Sequence, residues 1–196
     1  MATMIDGAAA AGTRAALLDA AHAAMLSHGV RRTTAADIAR RSGVSRQTLY
    51  RHWPDVATLC AEVLTRELLG AVPPQDVPAS LDELVAGLVR TAAHIRDLPL
   101  LARLRETDPE LFARYILERL GTSQRDLLRR LALVVAAGQT RGLVRAGDPA
   151  RIAAMILLIV QSAVQSAPLF ADTLPPGVWE SELARALRGC LTPGDG

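Results

Sequence analysis

Between Thr33 and Pro54 the chain reads TTAADIARRSGVSRQTLYRHWP, and its apolar spacing around one glycine fits two short helices joined by a tight turn. Reading from Ala35, Ile38 and Ala39 fall on the inner face of the first helix, and Val44 and Leu49 return to the same core. Ala39 is small where the two helices cross. Gly43 can take the positive φ of a tight connection without a Cβ penalty. Ser45 is placed to cap the second helix through its hydroxyl. Pro54 has no N–H to donate and disfavours helix at Trp53, so the second helix should stop there and another should begin with Pro54 near its first position. This is the packing pattern of a helix-turn-helix.

The outer face of the pair carries the chemistry that a nucleic-acid duplex requires. Arg31, Arg32, Arg40, Arg41, Arg46 and Arg51 stand against a single acid, Asp37, although the whole chain has a formal charge of only +2. Such local asymmetry is an electrostatic footprint. Ser45, Arg46, Gln47, Thr48 and Tyr50 to His52 lie off the Val44/Leu49 stripe, and the N-terminal part of such a helix normally reads bases. Arg46 suits a bidentate pair with guanine and Gln47 one with adenine, each giving roughly 1 to 3 kcal/mol of discrimination. Tyr50, Arg51, His52 and the hydroxyls of Thr33 and Thr34 are better suited to phosphates, which set register without reading sequence. A helix pair with glycine in its turn also occurs in many all-α proteins, and an arginine run is commonly a solvated face. Here core spacing, cap, turn residue, following proline and polar outer face agree across one stretch, which favours the DNA-binding reading.

These residues resemble the TetR family of bacterial transcriptional regulators. LLDAAHAAMLSHGVRRTT is similar to the family's first helix and the turn after it, and DIARRSGVSRQTLYRHWPDVATL to its second to fourth helices. The resemblance implies an all-α chain: an N-terminal three-helix helix-turn-helix DNA-binding domain, joined through the fourth helix to a C-terminal helical ligand-binding and dimerisation domain. It also implies a homodimer on a double-stranded DNA operator, usually released by a small-molecule effector. Carried over by position, Thr33 and Thr34 would contact phosphate, while Ser45 to Thr48 and Tyr50 to His52 would lie along the operator. Ser42 stands where Ala is common, Gln47 where a small residue is common and Trp53 where Phe is common. Val56 replaces a Lys that in many family members contacts the backbone, leaving Arg51 or the Arg31/Arg32 pair to supply that charge.

With 196 residues, half of them hydrophobic, the chain can bury one small and one larger helical core. All 22 of its basic residues are arginine, which suits bidentate contacts and also reflects genome base composition. Cys60 lies on the apolar stripe Val56, Leu59, Val63 and reads as core, and Cys190 is far from it in sequence. The N-terminal MATMIDGAAAAGTR has no basic region and no long apolar core, so no signal peptide is seen and a cytoplasmic location is expected.

The remainder reads as successive helices, with no convincing alternation of period two. The first helix is expected over Thr13 to His28, with Leu17, Ala20, Ala21, Ala24 and Met25 inward and Gly29 ending it. The fourth is expected from Pro54 to about Leu69. GAVPPQDVP, Gly70 to Pro78, is the clearest linker and divides the chain into a DNA-binding domain, 1–70, and an effector and dimerisation domain, 71–196. Ser80 and Glu83 form a capping box before the face Leu81, Leu84, Val85, Leu88, Ala92, Ile95. A short helix over Leu98 to Arg105 follows, then helix from Asp108 to Gly142 with a break at Gly121 and Ser123 as a cap. Asp148-Pro149 opens a helix whose middle, Ile152 to Val160, is apolar on nearly every side. Nine such residues are short of the roughly 20 that span a bilayer, so no membrane partner is expected. A helix apolar all round is buried on more than one face, here its own core and a second subunit. The last helix, Val178 to Leu191, is amphipathic through Val178, Leu183, Leu187 and Leu191, and the last two helices suit a four-helix bundle across a two-fold axis.

For an effector, the polar candidates inside the helical domain are His94, Tyr115, Gln161 and Gln165, which would orient a largely apolar ligand. Each also has a structural reading: the glutamines bond across a dimer, and His94 sits near a helix end beside Arg96 and Asp97. Phe and Tyr together number four, which argues against an aromatic cage and for an aliphatic or mixed ligand, with Trp179 left to gate an entrance. No glycine-rich phosphate loop, metal-spaced His/Cys cluster or nucleophile elbow occurs, so neither catalytic residues, a metal nor a cofactor is expected. His22 and His28, six apart, fall on different helix faces. An activator or a ligand-independent DNA-binding dimer would share the first domain; some 120 further residues of apolar helix exceed what dimerisation needs, which favours a ligand-released repressor.

Overall fold

The computed structural model describes residues 2–72, 78–112 and 122–193, which are helical throughout their regular elements and contain no strand. The helices are α1 (Ala2–His28), α2 (Ala35–Ser42), α3 (Arg46–His52), α4 (Val56–Gly70), α5 (Leu81–Arg96), α6 (Pro99–Thr107), α7 (Thr122–Thr140), α8 (Pro149–Ser166) and α9 (Pro176–Leu191). The chain forms two compact units. The first comprises 1–68 and 98–119, the second 69–97 and 120–196, so α6 packs with the N-terminal helices although it follows the linker.

In the first unit, α1 begins at Ala2 and not at Thr13, since the alanine run at positions 8–11 is strongly helix-forming and carries the helix upstream. It ends where expected: Gly29 has φ 85° and its N–H donates to the Met25 carbonyl at 2.9 Å. Leu17, Ala21, Ala24 and Met25 face inward against Ile38, Leu49, Leu59 and Val63, and Leu100 and Leu104 of α6 complete the core. α4 starts at Val56, two residues later than expected. The Asp55 carboxylate accepts the Thr58 N–H at 2.7 Å and caps the helix, and this bond holds its carboxyl below the ordinary value. Cys60 is core, as its stripe predicts; burial, with the charges of Asp108 and Asp55 adding, pushes its thiol up to about 12.

The second unit packs α5, α7, α8 and α9 around Val85, Ala92, Val135, Ile152, Ile156 and Leu187. Ser80 Oγ accepts the Glu83 N–H at 3.1 Å, while the Glu83 carboxylate accepts from Ala79 N at 2.6 Å, one residue ahead of the cap itself. Asp148 Oδ1 accepts the Ala150 N–H at 2.8 Å to start α8, with Pro149 at the first position. In α9 the inner stripe is Trp179, Leu183, Leu187, Leu191, and Val178 faces outward. Trp179 therefore packs as core and does not gate an entrance. Its indole N–H donates to the Ala163 carbonyl at 3.2 Å, and the Arg96 guanidinium lies 4.5 Å over its ring.

Two further expectations meet the structure differently. The break at Gly121 and most of the linker lie outside the described residues, whereas Ser123 lies within α7, which already contains Thr122, and so is not its cap. The apolar segment around Ile152 extends beyond nine residues: α8 and the 3₁₀ turn Ala167–Phe170 make 22 residues containing an 18-residue stretch of mean hydropathy 1.8, which by length and composition alone reaches a bilayer span. Its Ile152, Ala153, Ile156 and Val164 are buried in the unit's core, whereas Met155 and Leu158 on the other face are 48% and 62% exposed.

Candidate functional site

The helix pair of the first unit is set by its ends. Thr34 Oγ1 accepts the Asp37 N–H at 3.2 Å and caps α2, leaving the hydroxyl hydrogen outward. Thr33, its neighbour, is buried and its hydroxyl donates to the Gly29 carbonyl at 2.8 Å. That hydrogen is committed inside the turn, so Thr33 shapes the turn and does not present a donor to phosphate. Gly43 has φ 70° and an open surrounding, so backbone conformation alone accounts for it. Ser45 Oγ accepts the Thr48 N–H at 3.1 Å and lies 2.9 Å from Thr48 Oγ1, so both hydroxyls serve the start of α3.

On α3, Leu49 is fully buried while Arg46, Gln47, Tyr50 and Arg51 are exposed and His52 is half-buried. The structure thus brings Thr34, Ser45, Arg46, Gln47, Tyr50 and Arg51 to the surface of one helix pair. The cations divide into two groups. Arg40 and Arg41 bond the Asp37 carboxylate, the latter at 2.9 Å, and His28 Nε2 stands 3.4 Å from it. Desolvation raises the Asp37 carboxyl, but the Arg40 and Arg41 hydrogen bonds and charges outweigh it and hold the group below its ordinary value. Arg31 pairs with Glu110 and stands 3.6 Å from Asp108. Arg32, Arg46 and Arg51 make no ion pair with any described residue, so they are the cations left for phosphate and bases. Of the charges considered as replacements for the Lys at position 56, Arg51 and Arg32 remain available.

Two contacts that sequence reasoning did not anticipate hold the pair rigid. Asp108, only 1% exposed at the end of α6, accepts the N–H groups of Val30 at 2.8 Å and Arg31 at 3.3 Å in the turn before α2. Gly29 lets it approach: a Cβ there would meet Thr107 Oγ1 at 2.5 Å and Asp108 Oδ2 at 2.8 Å. At the other end of the pair, the buried Trp53 donates its indole N–H to Glu62 of α4 at 2.8 Å, Arg14 of α1 bonds the same carboxylate at 2.6 Å, and the Arg14 guanidinium lies 5.0 Å over the indole. Asp-Pro at 108–109 is readable as a helix start; its partner 78 residues upstream is not.

The second unit carries a half-open cavity of about 320 Å³ between α5, α7 and α8. His94 is exposed, and neither it, Gln161 nor Gln165 lines this cavity; the two glutamines are half-buried on α8. Tyr115 lies outside the described residues. No group of three His, Cys, Asp or Glu suited to a metal occurs among the described residues.

With that geometry in place, comparison with known proteins is direct. Residues 17–63 match the family model of bacterial regulatory proteins, tetR family. An uncharacterized HTH-type transcriptional regulator of Mycobacterium bovis is 40% identical over 184 residues, covering 92% of this chain and 95% of its own, and one of Mycobacterium tuberculosis matches with the same figures. Among solved structures, TylP, a TetR regulator from Streptomyces fradiae, superposes with a TM-score of 0.66 at 22% identity over 93% of this chain and 88% of its own. SmeT, the repressor of the Stenotrophomonas maltophilia multidrug efflux pump SmeDEF, gives 0.60 at 22% identity over 93% and 91%.

Proposed function

Starting from the fact that this chain belongs to the TetR family and is a DNA-binding transcriptional regulator and not an enzyme, we propose that it is a cytoplasmic repressor, binding a near-palindromic operator as a homodimer and released by a small, largely apolar effector. The observation that carries the operator reading is the capped α3, whose Arg46, Gln47, Tyr50 and Arg51 are exposed while its Leu49 is wholly buried. Arg46 and Gln47 read base edges. Thr34, Tyr50, Arg51 and His52 hold phosphate, while Ser45 and Thr48 keep the helix start in shape beside the DNA.

A second copy supplies the missing cover for Met155 and Leu158, which lie three apart on one face of α8. Two recognition helices then meet successive major-groove faces roughly 34 Å apart, which makes the operator a near-palindrome. For release, the cavity wall α5 runs directly through Asp97 and Leu98 into α6, whose end holds the Val30 and Arg31 amides. An effector that prefers a different setting of α5 shifts the population away from the DNA-competent state, a coupling of about 1 to 3 kcal/mol in typical cases. SmeT supports the comparison as a repressor whose structure has been determined as a complex with triclosan.

The test is a mobility shift of the protein on its own upstream intergenic DNA against shuffled competitor across a salt series. A specific complex of dimer stoichiometry is expected, with affinity falling at a slope of about −0.9 per phosphate neutralised. Tyr50→Ala should weaken binding to all operator variants alike, and Gln47→Ala should change which bases are preferred. Equal loss on every variant for Gln47→Ala would refute base reading by that residue, and binding without preference would refute an operator at this locus.

A further inference from the structure

The cavity of the second unit has an aliphatic wall and two cations that pair with no described residue. Leu84, Leu88, Ile95, Leu131 and Ile156 line it, with Arg90 from α5 and Arg130 from α7. Neither arginine bonds or pairs with any described residue. The single acid on the wall, Glu83, accepts the Ala79 N–H at 2.6 Å, and against its one negative charge the two guanidiniums leave the wall net positive. No aromatic side chain among the described residues lines the space, so a flat ring finds no stacking partner there.

Gly87 adds an independent observation. It lies in the middle of α5, where glycine weakens a helix, and packing does not demand it: a Cβ would meet nothing nearer than Arg90 Nη2 at 3.9 Å. The missing side chain leaves the wall recessed beside the guanidinium. At about 320 Å³ the cavity sits at the small end of ligand sites.

We propose that this cavity binds an amphipathic anion, an aliphatic body ending in a carboxylate or phosphate, with the body against the leucines and the head at Arg90 and Arg130. The proposal rests on the effector reading above and gives the effector its chemical class. Guanidinium groups hold both heads through charge-assisted, often bidentate hydrogen bonds, whereas a neutral alcohol accepts only an uncharged bond and a cation is repelled.

Calorimetric titration of the full-length protein with decanoate, decyl phosphate, decanol and decyltrimethylammonium tests this. One or both anions should bind at least roughly tenfold tighter than decanol, and the cation should not bind. Arg90→Gln combined with Arg130→Gln should bring the anions down to the level of decanol, and Gly87→Leu should abolish binding of the anions and of decanol. Whichever anion binds tighter identifies the head as carboxylate or phosphate. No anion binding, decanol binding as tightly as the anions, preference for the cation, or a preference unchanged in the double variant would overturn the proposal. Both arginines are exposed, so the double variant keeps the fold even if Gly87→Leu does not. The same preparations are run in the operator mobility shift: DNA binding without anion binding removes the ligand class and leaves the regulator, whereas anion binding that leaves the DNA complex intact removes effector release and leaves the site.

Discussion

The two units differ in how completely their own residues satisfy them. In the first, the polar groups that shape the helix pair have partners close at hand: Asp108 takes two backbone amides, Glu62 ties Trp53 to Arg14, and Asp37 gathers Arg40 and Arg41. In the second, an apolar face of α8 stands uncovered and a cavity opens beside arginines that pair with no described residue. A surface that must match a rigid duplex gains from being fixed before contact, since ordering it on binding would subtract from affinity. The assembly and ligand response proposed for the second unit would need surfaces left incomplete.

The strongest way to break this contrast is to charge the uncovered face. Met155→Arg with Leu158→Arg should leave the monomer folded, because both side chains are already solvent-exposed, and should bury unpaired charge only on dimerisation. That costs about 3 to 5 kcal/mol, so the dimer should dissociate more than a hundredfold more readily. Sedimentation at micromolar concentration checks it, and an unchanged dimer would place the interface elsewhere.

Two glycines sharpen the same comparison at smaller cost. Gly29→Ala forces a Cβ into a positive φ and against Thr107 and Asp108, which should destabilise the protein by about 3 kcal/mol, from roughly equal parts of backbone strain and overpacking. Gly87→Ala meets only ordinary contact and should stabilise by about 0.5 to 1 kcal/mol through helix propensity. Urea midpoints of the two variants should move in opposite directions. If Gly87→Ala also destabilises, the recess in α5 is a packing requirement and not an open wall.

How much of this could be read from sequence follows the same division. The helix pair was legible because its determinants are local: Thr34, Gly43 and Ser45 act within three residues of themselves, and Leu49 announces its face by spacing. Thr33 was misplaced because a threonine before a helix offers a hydroxyl either outward or back to Gly29, and only the fold of the turn decides. Asp108 and Glu62 were missed because their partners lie on other elements, a turn 78 residues upstream for Asp108 and α1 and the end of α3 for Glu62. In the second unit the stripe of α9 was nearly right, but Trp179 was put at an entrance when its size fills the core that Val178 turns away from. The cavity was not legible at all, since a void belongs to no single helix; the mid-helix Gly87 was its one signal.

Asp37 offers the finest test of the fixed unit, because its carboxylate is the only acid among the arginines of the DNA-binding stretch. Its folded value lies below the ordinary 3.8, desolvation being outweighed by Arg40 and Arg41. A depressed folded value means that its stabilisation is fully present above the unfolded value and is lost as pH falls through the folded one. The stability difference between the native chain and Asp37→Asn should therefore be flat from about pH 5 to 8 and vanish at more acidic pH, below 3.8. At neutral pH the same variant releases two guanidiniums on the DNA-facing unit and adds one positive charge. It should bind shuffled DNA more tightly and depend more steeply on salt, while the operator preference proposed for Arg46 and Gln47 narrows. A variant that loses stability without gaining affinity for shuffled DNA would mean that Arg40 and Arg41 point away from the duplex, and that Asp37 serves only to hold α2.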